Sequence, residues 1–186
     1  MLGSGFTRGV VPDLDRSPGV EIWGTNRLML MRESVQKEPW TRWFDLHRTP
    51  WILERRQEAY RWLQQQDGSR PVYQWDVNHE MPGSRAYPRA EVQAYFDGDR
   101  DFWGSISWML ALAIYEQFTD IELFWFPLMN DRATDMTVTI PVGQYTHQVP
   151  STRYWIGQAR GRGLRVTIHG DSALKPNHPL YGVETT

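Results

Sequence analysis

A chain of 186 residues, with 20 Lys and Arg against 22 Asp and Glu, is long for one small domain and short for two. It therefore reads as a single domain spanning 1–186, and its near-neutral charge nominates neither a nucleic acid nor an anionic membrane as partner. The absence of cysteine excludes a disulfide framework, a thiol nucleophile and a thiolate zinc site, and fits a reducing compartment.

No apolar run approaches the ~20 residues of a membrane span. The start lacks the basic-then-apolar order of a secretory signal. The expectation is a cytoplasmic protein with no membrane segment. Ten tryptophans are spread over the chain, which suits wedges in a core or an interface more than one stacking platform.

Met1 to Gly9 places Gly3, Gly5 and Gly9 among Ser4, Thr7 and Arg8. Such a turn, rich in backbone N–H donors, can wrap a phosphate. The full strand–GxGxxG–helix fingerprint is not met, because Gly9 falls one place late and only Met1-Leu2 stands where a strand should be. A frayed terminus is the competing reading. A Pro/Asp/Ser/Gly loop follows over 13–19. Val20 to Trp23 then reads as a strand stopped by Gly24-Thr25-Asn26. Arg27 to Met31 either begins a helix or continues extended.

Thr41 to Leu46 is the next strand, and it ends abruptly on polar groups in Arg42-Trp-Phe-Asp-Leu-His47. Thr49 is placed to cap a helix with Pro50 at its first position. The spacing of Ile52, Ala59, Tyr60 and Leu63 predicts one helix to about Gln66, ended by Asp67-Gly68. Pro71 to Trp75 reads as a strand, again followed by polar residues: Asp76, Asn78, His79 and Glu80. Met81 to Pro88 reads as a loop, and Arg89 to Phe96 as a short helix. Ser105 is placed to cap a helix reaching about Phe118. Its centre, Met109 to Ile114, is apolar all round and so should be sandwiched. Ile121 to Phe126 is the most apolar strand, which suits the middle of a parallel sheet.

The segment 130–150 reads as a long loop over the crevice or as a hairpin of Met136–Ile140 with Tyr145–Val149. Ser151 is placed to cap a helix to Arg160, ended by Gly161 or Gly163. Leu164 to Ile168 is the last strand, and 170–186 is an irregular tail. Strands and helices alternating with short connections predict an α/β fold: a single-domain, Rossmann-like, three-layer arrangement with a mainly parallel sheet and helices on both faces.

In a parallel sheet all strand C-termini share one edge. The ends at Asn26, at Asp45 and His47, at Asp76 to His79 and after Phe126 should then meet the Gly3–Gly9 turn. His47 and His79 are candidate general bases, or metal ligands with Asp45 or Asp76. No HExxH or paired-carboxylate spacing supports a metal, so none is expected. A helix-entry His47 bonded to a backbone group is the plainer alternative. No Gly-x-Ser-x-Gly elbow is present. Arg153, Arg160, Arg162 and Arg165 form either a solvated basic face or a phosphate clamp. Ser105 is either an ordinary cap or an anion-binding helix start.

Taken in order, these motifs are an Ile-Trp-Gly-x-Asn strand end, Arg42-Trp-Phe-Asp-Leu-His47, the Met81-Pro-Gly-Ser84 loop with Tyr87-Pro88, and Gly104-Ser-Ile-Ser-Trp-Met-Leu-Ala-Leu-Ala-Ile114. Tyr145-x-x-Gln148, the run Tyr154-Trp-Ile-Gly-Gln-Ala-Arg-Gly-Arg-Gly-Leu-Arg-Val166 and a Leu180-Tyr-Gly182 tail complete the series, which the Gly/Ser turn at the start opens. The chain resembles small phage-encoded Rossmann-like proteins, distantly similar to the motility accessory factor and 6-hydroxymethylpterin pyrophosphokinase domains. The resemblance implies that Gly3, Ser4, Gly5 and Thr7 face a phosphate, and that Asn26, His47, Ser105, Tyr145 and Gln148 surround the same crevice. Two departures matter. The first strand is almost missing, and the fifth-strand loop reads Trp125-Phe-Pro-Leu128 where Gly and Asp are usual. Without that acid, metal-assisted phosphoryl chemistry lacks a carboxylate to hold Mg²⁺.

Two functions follow as expectations. The first is a domain that binds a nucleotide, nucleotide sugar or other phosphorylated small molecule and acts as a glycosyl- or phosphotransferase, with His47 as acid or base. The second is a non-enzymatic phage accessory protein that binds a host protein or sequesters a small molecule. A homo-oligomer built on the aromatic surface is a third option.

Overall fold

The computed structural model describes residues 17–26, 28, 40–124, 144–170 and 172–175, with 144 and 145 described as backbone only. Six strands and five helices occur among them. In chain order they are β1 (Trp23–Thr25), β2 (Arg42–Phe44), α1 (Thr49–Arg55), α2 (Gln57–Gln64), β3 (Val72–Gln74), β4 (Ser84–Ala86), α3 (Arg89–Tyr95), α4 (Ser105–Tyr115), β5 (Asp120–Leu123), α5 (Gln144–Gly161) and β6 (Arg165–Ile168). One sheet has the order β1-β2-β3-β4, and β5 pairs with β6. Every pairing is parallel, so the fold is α/β. Among the described residues no helix is long and apolar enough to cross a membrane.

Side chains alternate across a strand, and here the alternation divides the core in two. Ile22, Trp43 and Val72 join Ile52, Ala59, Tyr60 and Leu63 of α1 and α2 in one buried cluster. Trp23 and Phe44, with Tyr73 packed against them, join Val92, the buried run of α4, and Trp155, Ile156 and Ala159 of α5 in the other. Helices therefore cover both faces of the sheet. The apolar run of α4 is buried from Ile106 to Ile114. Arg42 ties the layers together at the start of β2. Its guanidinium contacts Glu21 and Glu116, each at 2.6 Å, and lies over the ring of Trp23.

Several elements differ from expectation. Gly24 does not stop β1; it sits inside the strand opposite Trp43. A Cβ at position 24 would collide with the Trp43 ring. The strand ends one residue later, where Asn26 takes φ 55°. The helix expected over 49–66 is two, α1 and α2, separated at Arg56 (φ −142°, ψ 36°). Hydrogen bonding continues through the break, from Arg56 N–H to Ile52 O and from Tyr60 N–H to Arg56 O. Thr49 and Ser105 do not cap. Arg48 and Gly104 hold those positions without a side-chain bond, and Gly104 has φ 103°.

β4 falls in the stretch read as a loop. Its three residues are too few to show alternation, and they are held by in-register pairing to β3. α5 begins at Gln144, not Ser151, so 145–149 is helical and forms no hairpin strand. Pro150 lies inside it, where it removes one intrahelical donor and its ring crowds the carbonyl one turn earlier. Gly163, at φ 89°, ends α5: Leu164 N–H bonds Ala159 O and Gly163 N–H bonds Arg160 O, a Schellman pattern. Gln117 closes α4 in the same way at φ 62°. The Gly3–Gly9 turn, the Met1-Leu2 strand, the segment 27–31 apart from Leu28, the Met136–Ile140 strand, the loop after Phe126 and the tail beyond Lys175 lie outside the described residues.

Gly24→Ala should lower stability by roughly 1–3 kcal/mol through overpacking against Trp43. Gly157→Ala, in α5 with open space around it, should raise stability by about 0.5–1 kcal/mol. Urea denaturation of the two variants checks both signs.

Candidate functional site

Parallel pairing puts the C-terminal ends of β1 to β4 on one rim. Thr25 lies opposite Phe44 and Phe44 opposite Tyr73, so Asn26, Asp45 and Gln74 are consecutive neighbours one step further along. All three carry buried polar atoms without a hydrogen-bond partner among the described residues: Asn26 Oδ1, Asp45 Oδ2 and Gln74 Nε2. Leaving such an atom unpaired costs about 1–3 kcal/mol, so this part of the rim is polar at the expense of stability.

Asp45 is the strongest case. It is 0% exposed, yet it is acidic. Its Oδ1 lies 2.6 Å from His47 Nδ1 and 3.8 Å from an Arg56 nitrogen. Arg56 is the residue at the break between α1 and α2. The His47 ring stacks on Trp51 at 4.5 Å and 13°, and the Arg56 guanidinium lies 4.6 Å from the same indole. His47 is thus held on one edge by a buried carboxyl group and on one face by an aromatic ring.

A cleft of about 720 Å³ opens beside it, lined by His47, Arg48, Thr49, Pro50, Trp75, Asp76, Arg89, Phe102 and Trp108. That volume is in the range of small-molecule sites. The aromatic walls pack on one another. Phe102 stacks on Trp108 at 3.7 Å, Trp75 meets Trp108 edge-on at 5.2 Å, and Tyr87 supports both from behind. The Tyr87 hydroxyl donates to Trp108 O at 2.8 Å. Arg89 lies 5.6 Å from the Trp75 ring and 6.0 Å from that of Trp108. Arg48 and Arg89 supply positive charge, and Asp76 one exposed carboxylate. A second depression, of about 460 Å³ and beside Ser69, Tyr73 and Arg85, has no comparable set of acid, base and cations.

The expected site residues divide into three groups. His47 lines the cleft. Asn26 lies on the same rim, but its described contacts are those of a turn: its N–H bonds Phe44 O and its carbonyl accepts the Trp43 indole N–H. Ser105 opens α4, between the cleft residues Phe102 and Trp108. Gln148 packs beside Gly104, where a Cβ would lie 3.4 Å from it. Ser105 and Gln148 are therefore near one another, but neither lines the cleft. Gly3, Ser4, Gly5 and Thr7 lie outside the described residues, as does the Tyr145 side chain. His79 is exposed on the turn after β3 and does not line the cleft.

The arginines near α5 are occupied locally. Arg153 binds Ala173 O and Lys175 O, Arg160 binds Val166 O, Arg162 binds Gln158 and Arg165 binds Asp120. They do not form a clamp. No group of three or more His, Asp or Glu side chains that could hold a metal occurs among the described residues.

Sequence reasoning missed Arg48, Trp75, Arg89, Phe102 and Trp108 as cleft residues, and Arg56 as a partner of Asp45. Trp75 and Arg48 had a usable signal, since each adjoins a polar strand end. Phe102 and Trp108 had none, because an aromatic before or within an apolar helix reads as core. Comparison with protein-family models, with curated proteins and with solved structures finds no match to this chain.

Burial raises the Tyr87 phenol above its ordinary value of 10.0. Folded and unfolded chains are both protonated here below about pH 10. Above it the unfolded chain loses the proton first, so stability falls as pH rises. Tyr87→Phe should cost about 1 kcal/mol at pH 7 and flatten the decline above pH 10. Thermal melts of the two proteins from pH 7 to 11 test this.

Proposed function

We propose that the chain is a Rossmann-like domain that binds a nucleotide, nucleotide sugar or other phosphorylated small molecule at the C-terminal rim of its sheet. His47 serves transfer chemistry there as acid or base. The observation that carries this reading is the cleft itself: flat aromatic walls, two arginines and an oriented histidine converge where parallel α/β sheets hold ligands. The aromatic walls suit a planar base, and Arg48 and Arg89 suit a phosphate.

Support for one continuous Rossmann-like sheet comes from the flank of β1. Phe118, just before β5, meets Trp23 edge-on at 5.3 Å. Phe124, just after β5, packs in the same cluster as Ile22 and Leu28. A sheet ordered β4-β3-β2-β1-β5-β6 accounts for both contacts. It also accounts for the change of helix face between α2 and α4. Kinship with small phage-encoded proteins belongs to the same proposal.

Thermal-shift screening of nucleotides and nucleotide sugars tests the reading. A ligand at 100 times its Kd should add about 2.7 kcal/mol, and Arg48→Ala with Arg89→Ala should remove the shift. No stabilisation by any phosphate compound at millimolar concentration would overturn it.

A second reading, a non-enzymatic accessory protein that binds a host protein, rests on aromatics outside the cleft. Trp103 is 55% exposed beside His147, and Tyr95 is 48% exposed against Tyr115. It predicts stoichiometric capture of a host protein that Trp103→Ala abolishes. Sedimentation at two protein concentrations separates this from self-association.

A further inference from the structure

The least expected group at the rim is the buried Asp45. A carboxylate at 0% exposure loses its hydration and is retained only with charged or hydrogen-bonding partners. Its parity explains its place. Trp43 points into the cluster under α1 and α2, and two residues on, Asp45 points the same way. The strand geometry therefore delivers the acid to the inside of the rim, while His47, two residues further, reaches the cleft wall.

We propose that Asp45 is the positioning residue of His47. A carboxylate only accepts hydrogen bonds, so at 2.6 Å it holds the proton of the neutral ring on Nδ1. Nε2 is left with its lone pair toward the cleft. Trp51, stacked parallel to the ring, stops it turning about that bond. Arg56, 3.8 Å from the same carboxylate oxygen, sets a positive charge beside the acceptor.

This inference rests on the proposed binding site for its consequence but not for its truth. With Nε2 as an acceptor, the group that meets His47 is a ligand O–H or N–H donor, not a phosphate oxygen. A phosphorylated ligand then lies with its phosphate toward Arg48 and Arg89 and a hydroxyl toward His47.

The test needs no ligand. In a two-bond ¹H–¹⁵N spectrum of histidine-labelled full-length protein, His47 is identified by the peaks lost in His47→Asn. At a pH where the ring is neutral, it should show a pyrrole-like Nδ1 and a pyridine-like Nε2. Asp45→Asn, whose amide can donate, should move the proton to Nε2. Trp51→Ala should leave it on Nδ1.

A wild-type ring protonated on Nε2 would overturn the proposal, and so would a tautomer unchanged in folded Asp45→Asn. A switch caused by Trp51→Ala would assign the tautomer to packing instead. Should Asp45→Asn fail to fold, the wild-type and Trp51→Ala spectra still decide. A correct tautomer with no phosphate ligand in thermal-shift screening would sink the binding reading and leave this one standing.

Discussion

Register between parallel strands is the constraint from which the rest of the molecule follows. Once Trp23, Arg42 and their neighbours pair as they do, the next residues in each strand must end together. Asn26, Asp45 and Gln74 are consequently adjacent although they lie far apart in the chain. A slip of one residue would exchange the two faces of a strand. It would carry Trp43 out of the cluster under α1 and α2 and Asp45 out to the opposite side.

The Trp43 ring shows how tightly that register is held. It lies over Gly24 on the neighbouring strand, where any side chain would collide, and its indole N–H bonds Asn26 O at 3.0 Å. Trp40 and Trp62 pack around it. One large residue thus fixes the pairing of β1 with β2, the turn at Asn26 and the seat of α2. The left-handed turn at Asn26 belongs to this packing, whatever else its side chain does.

The rim combines two kinds of group that normally exclude each other. Aromatic rings line the cleft, while Asp45, Asn26 and Gln74 keep polar atoms buried along the same rim. Low local polarity strengthens the contact between Asp45 and His47. The interruption between α1 and α2 belongs to the same arrangement. Arg56 stands at that interruption, with a guanidinium nitrogen 3.8 Å from the buried carboxylate.

Much of this was legible in the sequence. Polar residues closing apolar strands announced the rim, and the all-apolar run of α4 announced burial on every side. Both signals are local, since the periodicity of an element is written within it. Gly24 was legible as a glycine but not in its role, which depends on a ring 19 residues away. β4 is held by its neighbour alone, and the Pro150 helix by its packing, so neither left a pattern to read. Sequence alone indicated the parallel α/β class and the polar strand end at Asp45 and His47. Tertiary structure decided that Asp45 is buried behind it and that Arg89, Phe102 and Trp108 stand opposite. Contacts between distant segments depend on how side chains fill space, and that is decided only when the chain is folded.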